Sequence, residues 1–164
     1  MHIDEFILVE EVENGPAFAS ELFQRKYRLP VPKFPHHVVA FCRNDDGSCV
    51  PACYAHSTDC GDLILGGGAC SDDRVLRRMS ADQRAAIRAA GGLYLHTLKW
   101  SLNHFGPGVR AIFSYCGDAL AERVDLAVGF EQTEHPNLLV YWTREVDEKR
   151  RRQLIAKAFS FIPF

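Results

Sequence analysis

The chain has 164 residues, of which 47% are hydrophobic and 24% charged, and its formal net charge at pH 7 is -2. This composition excludes a disordered chain, and the weak negative charge excludes a protein that binds nucleic acid through a globally basic surface. The N-terminus lacks the basic and apolar regions of a signal peptide, and no apolar stretch approaches the roughly 18 residues of a membrane span. We therefore expect one cytoplasmic domain that spans residues 1–164.

The first half of the chain predicts four strands and one helix. The run over 3–12 is apolar with acidic flanks and is typical of a strand. Residues 16–27 begin with proline and place apolar side chains at helical spacing, which predicts a helix. Strands follow over 36–43 and 49–58, joined by an Asn-Asp-Asp-Gly turn that is typical of a hairpin, and over 63–70.

The second half predicts helices that alternate with strands. Ser80 and Gln83 form a capping box, which predicts that a helix starts there. The further elements that we expect are helices over 81–90, 93–105, 119–130 (ending at Gly129) and about 145–160, the last one amphipathic, and strands over 109–116 and 138–144. Because helices fill the crossover between residues 70 and 109, the strands on either side of it should run parallel.

The order of these elements is β-α-β-β-β-α-β-α-β-α, and the penultimate helix ends in the sequence Asp-Leu-Ala-Val-Gly-Phe. Over about residues 3–144 the chain resembles the GCN5-related N-acetyltransferase superfamily, whose corresponding helix ends in a Leu-Gly-Phe-like turn, here Val128–Phe130. The resemblance implies an α/β (α+β) fold with a mixed, mostly antiparallel central sheet and helices on both faces. It also implies that acetyl-CoA or another acyl-CoA is the donor substrate.

In that superfamily a glycine-containing loop before a helix holds the pyrophosphate of coenzyme A, because backbone N–H groups at a helix N-terminus favour an anion. The nearest match here keeps Arg88 and Gly91 of the family pattern but has Leu93 where glycine or alanine is expected. The resemblance implies that Arg88, Gly91 and Gly92 bind the cofactor. The glycines also fit a kink or close packing within one long helix over 80–105, and both interpretations stay open at this point.

Many members of the superfamily carry a tyrosine as general acid four residues before the glycine of that turn, and Asp125 stands there in this chain. The segment Ser-Tyr-Cys-Gly-Asp ends a predicted strand, where ligands bind in split sheets. The resemblance implies that Tyr115 protonates the leaving thiolate and that Asp118 orients or deprotonates the amine. Ser114 and Cys116 lie at the same strand end, and we expect both to bind the cofactor. The alternatives are that Tyr115 only packs and that Asp118 only caps the next helix.

The six cysteines do not follow a zinc-binding spacing. They stand in the order C-x6-C-x3-C-x6-C-x9-C followed by Cys116, without a C-x2-C pair. We expect reduced thiols and no metal site. The alternative is a structural zinc ion held by Cys53, His56 and Cys60.

Other conspicuous segments are expected to be structural. Of His36 and His37, one should be buried and hydrogen-bonded and the other exposed. The glycines at 66–68 predict a flexible strand end, with a bulge that admits a ligand as the alternative. The basic run 149–152 predicts a solvated helix face. The aromatic residues of 159–164 should dock on the sheet or on a second subunit, so a homodimer is one expectation.

The function that the resemblance implies is acyl-CoA-dependent N-acyl transfer, in the simplest case of an acetyl group, to a small-molecule or peptide amine. Two alternatives stay open. One is a degenerate, non-catalytic relative that binds a ligand or partner. The other is an enzyme on the same fold with a different donor, such as an acyl-homoserine-lactone synthase or a phage-type modifier of DNA bases. The net charge of -2 argues against a nucleic-acid substrate.

Overall fold

The computed structural model describes residues 1–33 and 36–164. Within these ranges the helices are α1 (Gly15–Tyr27), α2 (Asp73–Arg78), α3 (Ala81–Ala89), α4 (Leu93–Phe105), α5 (Ala119–Val128) and α6 (Glu148–Phe159). The strands are β1 (Ile7–Val12), β2 (His36–Arg43), β3 (Cys49–Asp59), β4 (Leu63–Ser71), β5 (Ala111–Tyr115), β6 (Glu131–Gln132) and β7 (Leu138–Trp142). No helix in this described part has the length and apolar character that a membrane span requires.

The seven strands belong to one sheet, in the order β1-β2-β3-β4-β5-β7-β6. β1 pairs antiparallel with β2, and β7 pairs antiparallel with both β5 and β6. β4 and β5 run parallel, which confirms the prediction made from the helical crossover between residues 70 and 109. The fold is therefore α/β with a mixed, mostly antiparallel sheet, as the sequence predicts.

The chain divides into two compact units, one made of residues 1–56 and 69–100 and the other of residues 57–68 and 101–164. The single domain over residues 1–164 stays a prediction.

In the first unit, α1 covers β2 and β3 with an apolar stripe. Ala19, Leu22 and Phe23 recur at helical spacing and are buried, because each side chain removes apolar surface from water. The remaining buried members of this cluster are Val31, Val39, Phe41, Tyr54 and Cys70. At the first turn of α1, Gly15 lies so close to His37 that a Cβ there would overlap the imidazole ring. Glycine is therefore required for the helix to approach the sheet at this point.

In the second unit, α6 covers one face of the sheet. Leu154 and Ala158, one helical turn apart, are buried in a cluster with Phe113 of β5. The other buried members of this cluster are Leu63, Leu65, Ala111, Leu138, Val140 and Val146. Ser114, the next residue of β5, faces the other way and bonds to Asp125 of α5. Helices therefore cover both faces of this part of the sheet, as expected.

The basic run of α6 is engaged by neighbours in the same unit. The Arg150 guanidinium pairs with the Asp62 carboxylate in the turn between β3 and β4. The Arg151 guanidinium carbon lies 4.8 Å from the centroid of the Trp142 ring. Lys149 and Arg152 are exposed, as the predicted solvated face requires, whereas Arg150 and Arg151 are half-buried by these contacts.

The aromatic residues at the C-terminal end of the chain lie against the second unit. Ile162 and Phe164 pack on its core cluster. The Phe159 ring stacks on the His135 ring with 3.7 Å between centroids. The expected docking therefore occurs for Ile162 and Phe164, whereas Phe159 and Phe161 remain exposed, and the homodimer stays a prediction.

Three elements differ from the predicted ones. β1 starts at Ile7, because residues 3–5 form a turn of 3-10 helix. The sequence does not predict α2, since none of its residues is buried and no apolar periodicity marks it. It does not predict β6 either, which has two exposed residues. The C-terminal helix expected at about 145–160 runs over Glu148–Phe159.

Candidate active site

The parallel strands β4 and β5 pair over only part of their length. Their register ends where Gly66 lies opposite Ser114, and β4 continues to Ser71. A Cβ at Gly66 would lie 3.1 Å from the carbonyl oxygen of Phe113, so the absence of a side chain lets the two backbones approach closely. The glycines 66–68 therefore lie inside a strand, and the prediction of a flexible strand end is wrong.

Four of the predicted site residues lie at the carboxyl end of β5, namely Ser114, Tyr115, Cys116 and Asp118. The half-buried Tyr115 ring packs 6.0 Å from the ring of Phe164. The Asp118 Oδ1 accepts hydrogen bonds from the backbone N–H groups of Leu120, at 2.8 Å, and Ala121, at 3.4 Å. Asp118 is thus the N-cap of α5 and is exposed, which is the structural alternative foreseen for it.

The side chain of Ser114 bonds to a buried carboxyl group. Its hydroxyl donates to Oδ2 of Asp125 at 2.8 Å. Asp125 is the one buried residue of α5, with 0% of its surface exposed. The residue that replaces the family's tyrosine therefore points at β5 rather than at solvent.

Cys116 is buried and its thiol donates to the backbone oxygen of Asp118 at 3.2 Å. Burial raises the pKa of the Cys116 thiol, and the charges of Asp125, Asp118 and Glu122 raise it further. A raised pKa keeps sulfur protonated at neutral pH, so Cys116 lacks the thiolate that a nucleophile needs. This bond joins the strand end to the turn into α5, and the predicted contact of Cys116 with the cofactor stays a prediction.

The predicted phosphate loop lies between α3 and α4. Gly91 and Gly92 have φ of +85° and +105°, a conformation that ends α3 after Ala89. The alternative of one long helix over 80–105 is therefore wrong. The N–H groups of the glycines donate to the carbonyls of Arg88, at 3.0 Å, and Ile87, at 2.9 Å.

The glycine amides cap α3, and α4 starts directly after Gly92, whose carbonyl accepts a hydrogen bond from the His96 N–H at 3.1 Å, so the positive end of the α4 dipole lies beside the glycine pair. Arg88 is exposed on the last turn of α3. No heavy atom lies within 4 Å of a Cβ built on Gly92, so the space beside the start of α4 is open. A phosphate group fits these surroundings.

The structure places the predicted site residues in two groups. Arg88, Gly91 and Gly92 belong to the first unit, and the residues 114–118 belong to the second. Sequence reasoning missed Asp125, and the only signal for it was the departure from the family's tyrosine.

A second set of buried polar side chains lies in the first unit, on β2 and β3. Nδ1 of His37 lies 2.8 Å from the Tyr54 hydroxyl, and the His56 ring lies 5.7 Å from the Tyr54 ring. Burial lowers the pKa of His56 to about 4 and also lowers the pKa of His37. His36 is half-buried rather than exposed, and its Nδ1 lies 2.6 Å from Oε1 of Glu11.

The alternative zinc site does not assemble among the described residues. In residues 1–33 and 36–164, no group of three His, Cys, Asp or Glu side chains is placed to hold a metal ion. The cysteines there, including Cys53 and Cys60, are free thiols.

The fold that these elements form is that of the GCN5-related N-acetyltransferases. No protein-family model matches the chain, and no curated protein matches it by sequence. Among solved structures, the ribosomal-protein-S18-alanine N-acetyltransferase from Escherichia coli is similar with a TM-score of 0.57 and 12% identity, over 87% of this chain and 97% of that one.

Two further structures are similar and are described as complexes. The putative N-acetyltransferase YhhK from E. coli, bound to coenzyme A, has a TM-score of 0.52 and 14% identity over 83% of this chain and 98% of that one. AtaTR bound with acetyl-CoA has a TM-score of 0.52 and 12% identity over 92% of this chain and 99% of that one. At these identities the likeness is one of fold.

Proposed function

We propose that the protein is an acyl-CoA-dependent N-acyltransferase that moves an acetyl group from acetyl-CoA to an amine. The observation that carries the proposal is the parallel pair of β4 and β5, whose register ends at Gly66 and Ser114 while β4 continues. Beyond that point β4 presents backbone without β5 beside it, where the amide groups of a pantetheine arm can pair. The similar structures that hold coenzyme A or acetyl-CoA support the same donor here.

The phosphates of the donor would bind at the start of α4. Backbone N–H groups and the helix dipole favour negative charge there, and Arg88 adds a guanidinium that can bond two phosphate oxygens. Gly91 and Gly92 serve this site by ending α3, so that α4 begins as a separate helix at Leu93.

The chemistry at the end of β5 is attack of the amine nitrogen on the thioester carbonyl carbon. A C–N bond forms, the C–S bond breaks, and coenzyme A leaves as a thiolate. The nitrogen gives up one proton to solvent as the amide forms, and the Tyr115 hydroxyl gives its proton to the thiolate and regains one from solvent. Holding the amine and thioester in near-attack geometry supplies much of the rate. The acceptor is a small-molecule or peptide amine.

The donor site is tested by calorimetric titration of the purified protein with acetyl-CoA and with free coenzyme A. We expect Arg88→Glu to weaken both affinities about tenfold, which is about 1.4 kcal/mol, because a carboxylate would face the phosphates. Lys149→Glu, the same charge reversal on α6, is the matched control and should bind as the wild type does. Gly91→Glu is unsuitable, since a Cβ there would overlap the Leu95 side chain and strain the loop.

Transfer is tested by following the release of free thiol from acetyl-CoA with a panel of amines that includes polyamines, aminoglycosides and peptides. Thiol release that depends on an amine supports the proposal. Binding of acetyl-CoA without turnover of any amine would instead favour the degenerate, ligand-binding alternative. Absence of donor binding would point to an enzyme with another donor.

A further inference from the structure

The second unit contains a buried carboxyl group for which the proposed function has no role. Asp125 is fully buried, although a carboxyl group removed from water loses hydration that must be replaced by hydrogen bonds. The Ser114 hydroxyl supplies one of these bonds, 2.8 Å from Oδ2. Every other position of α5 is exposed or half-buried, so the helix directs its one buried side chain at this serine.

Ser114 lies where a reacting group would be useful. It is the last residue of β5 in register with β4, and the residue opposite it is Gly66. The next residues of β4, Gly67 and Gly68, carry no side chain. The half-buried Ser114 side chain therefore lies at the point where the two strands stop pairing.

The direction of the hydrogen bond determines what this serine can do. Because Ser114 gives its own proton to Asp125, the lone pairs of its Oγ are left to accept a proton from a second partner. Tyr115, the next residue, projects to the opposite face of β5. One face of the strand end thus offers a proton acceptor and the other a proton donor.

We propose that Ser114 accepts the proton of the attacking amine and that Asp125 is the positioning residue that orients the serine and takes up its proton. This inference rests on the proposed function. As the C–N bond forms, the amine proton moves to Ser114 Oγ and the Ser114 hydroxyl proton moves to the Asp125 carboxylate. The C–S bond then breaks, and the thiolate takes its proton from Tyr115. Water then removes the proton from Asp125 through Ser114 and returns one to Tyr115, so that the net change is the transfer of one proton from the amine to coenzyme A.

The test measures amine-dependent thiol release across pH 5 to 9, with the amine that the wild-type protein turns over fastest. Asp125→Asn keeps the shape of the side chain but cannot take up the proton. We expect it to lower kcat/KM about 100-fold over the whole pH range, while the acid-side fall that comes from protonation of the amine substrate remains. Ser114→Ala should have the same effect, and the double variant should be no worse than either single one, because the two residues act as a unit.

Two further variants separate this mechanism from a structural role. Ser114→Thr keeps a hydroxyl group and should recover most of the rate that Ser114→Ala loses. Asp46→Asn, the same change in the exposed turn between β2 and β3, should leave the profile unchanged. Far-UV circular dichroism and thermal unfolding of each variant show that it is folded.

Failure of the proton transfer through Ser114 and Asp125 can be distinguished from failure of the proposed function. Wild-type protein that turns over no amine overturns both. Active wild-type protein with an Asp125→Asn variant that loses less than about threefold in kcat/KM overturns only the proton transfer through Ser114 and Asp125. A Ser114→Ala variant that binds acetyl-CoA more weakly but keeps the wild-type kcat would also overturn this proton transfer. Ser114 would then only hold the donor.

Discussion

Each of the two buried histidines of the first unit couples the stability of the fold to pH. His37 and His56 lie beside Tyr54, and burial lowers the pKa of both. In the unfolded chain each regains a pKa near 6.5, so the unfolded state binds more protons below that pH. The stabilisation is fully present above pH 6.5 and is lost as the pH falls towards the folded value of His56, about 4.

We expect the free energy of unfolding in urea to fall by about 2 kcal/mol between pH 7 and pH 5. His56→Phe, which keeps an aromatic ring without a titrating group, should flatten this dependence. The control His135→Gln, at a less buried histidine, should leave the slope unchanged. An unfolding free energy that is constant over this range would mean that the histidines remain accessible to protons in the folded state.

Residue identities alone do not determine such side-chain environments. The sequence predicts that one histidine of the pair 36–37 is buried, because strand residues alternate between faces. It cannot predict that Asp125 is buried, because a carboxyl group in a helical pattern is ordinarily placed in solvent. Only the packing of α5 on β5 places that group against Ser114, so the position was visible in the sequence as a departure from a family pattern and nothing more.

At the scale of elements, the sequence predicts a helix boundary where a capping box or a helix-ending glycine marks it, and misses a helix that no apolar spacing marks. The capping box of Ser80 and Gln83 and the left-handed Gly129 both stand where the sequence predicts a helix boundary. α2 escapes prediction because its stability depends on the Asp72 cap and on ion pairs rather than on apolar spacing. The glycine pair at 91–92 is ambiguous in sequence, and positive φ at both residues decides for two helices.

The start of α5 provides a test that separates capping from catalysis. Asp118→Ala removes the side-chain acceptor of two backbone N–H groups and should lower the free energy of unfolding by about 1 kcal/mol. Asp118→Asn keeps a capping oxygen, so we expect it to retain stability within about 0.5 kcal/mol. It should also retain amine-dependent thiol release within about threefold, since the carboxylate only caps α5. A folded Asp118→Asn variant that loses most of its activity would assign the amine-deprotonating role to this carboxylate after all.

At the scale of the whole molecule, topology follows from the chain order more directly than the site does. The helical crossover between β4 and β5 predicted their parallel pairing. β1–β2 and β5–β7 are antiparallel although each pair is also joined through a helix, so only part of the sheet was predictable from the connections. Donor binding could not be predicted in the same way, because the chain matches the family's phosphate-loop pattern only in part and a fold does not determine function. A measurement on the intact chain is needed for that step.

A ligand that binds only the folded chain raises its stability by mass action. Acetyl-CoA at about 100 times its dissociation constant should add about 3 kcal/mol to the free energy of unfolding, which raises Tm by about 5 to 10 °C for a chain of this size. Acetyl-pantetheine carries the same thioester without the pyrophosphate. At equal concentration it should raise Tm far less. Arg88→Glu should reduce the difference between the two Tm shifts, because it weakens the binding of acetyl-CoA and not that of acetyl-pantetheine. Equal shifts with both ligands in the wild-type protein would place the binding energy on the pantetheine arm and contradict a phosphate site at the start of α4. A rise in Tm with neither would leave the β4–β5 strand end without its donor.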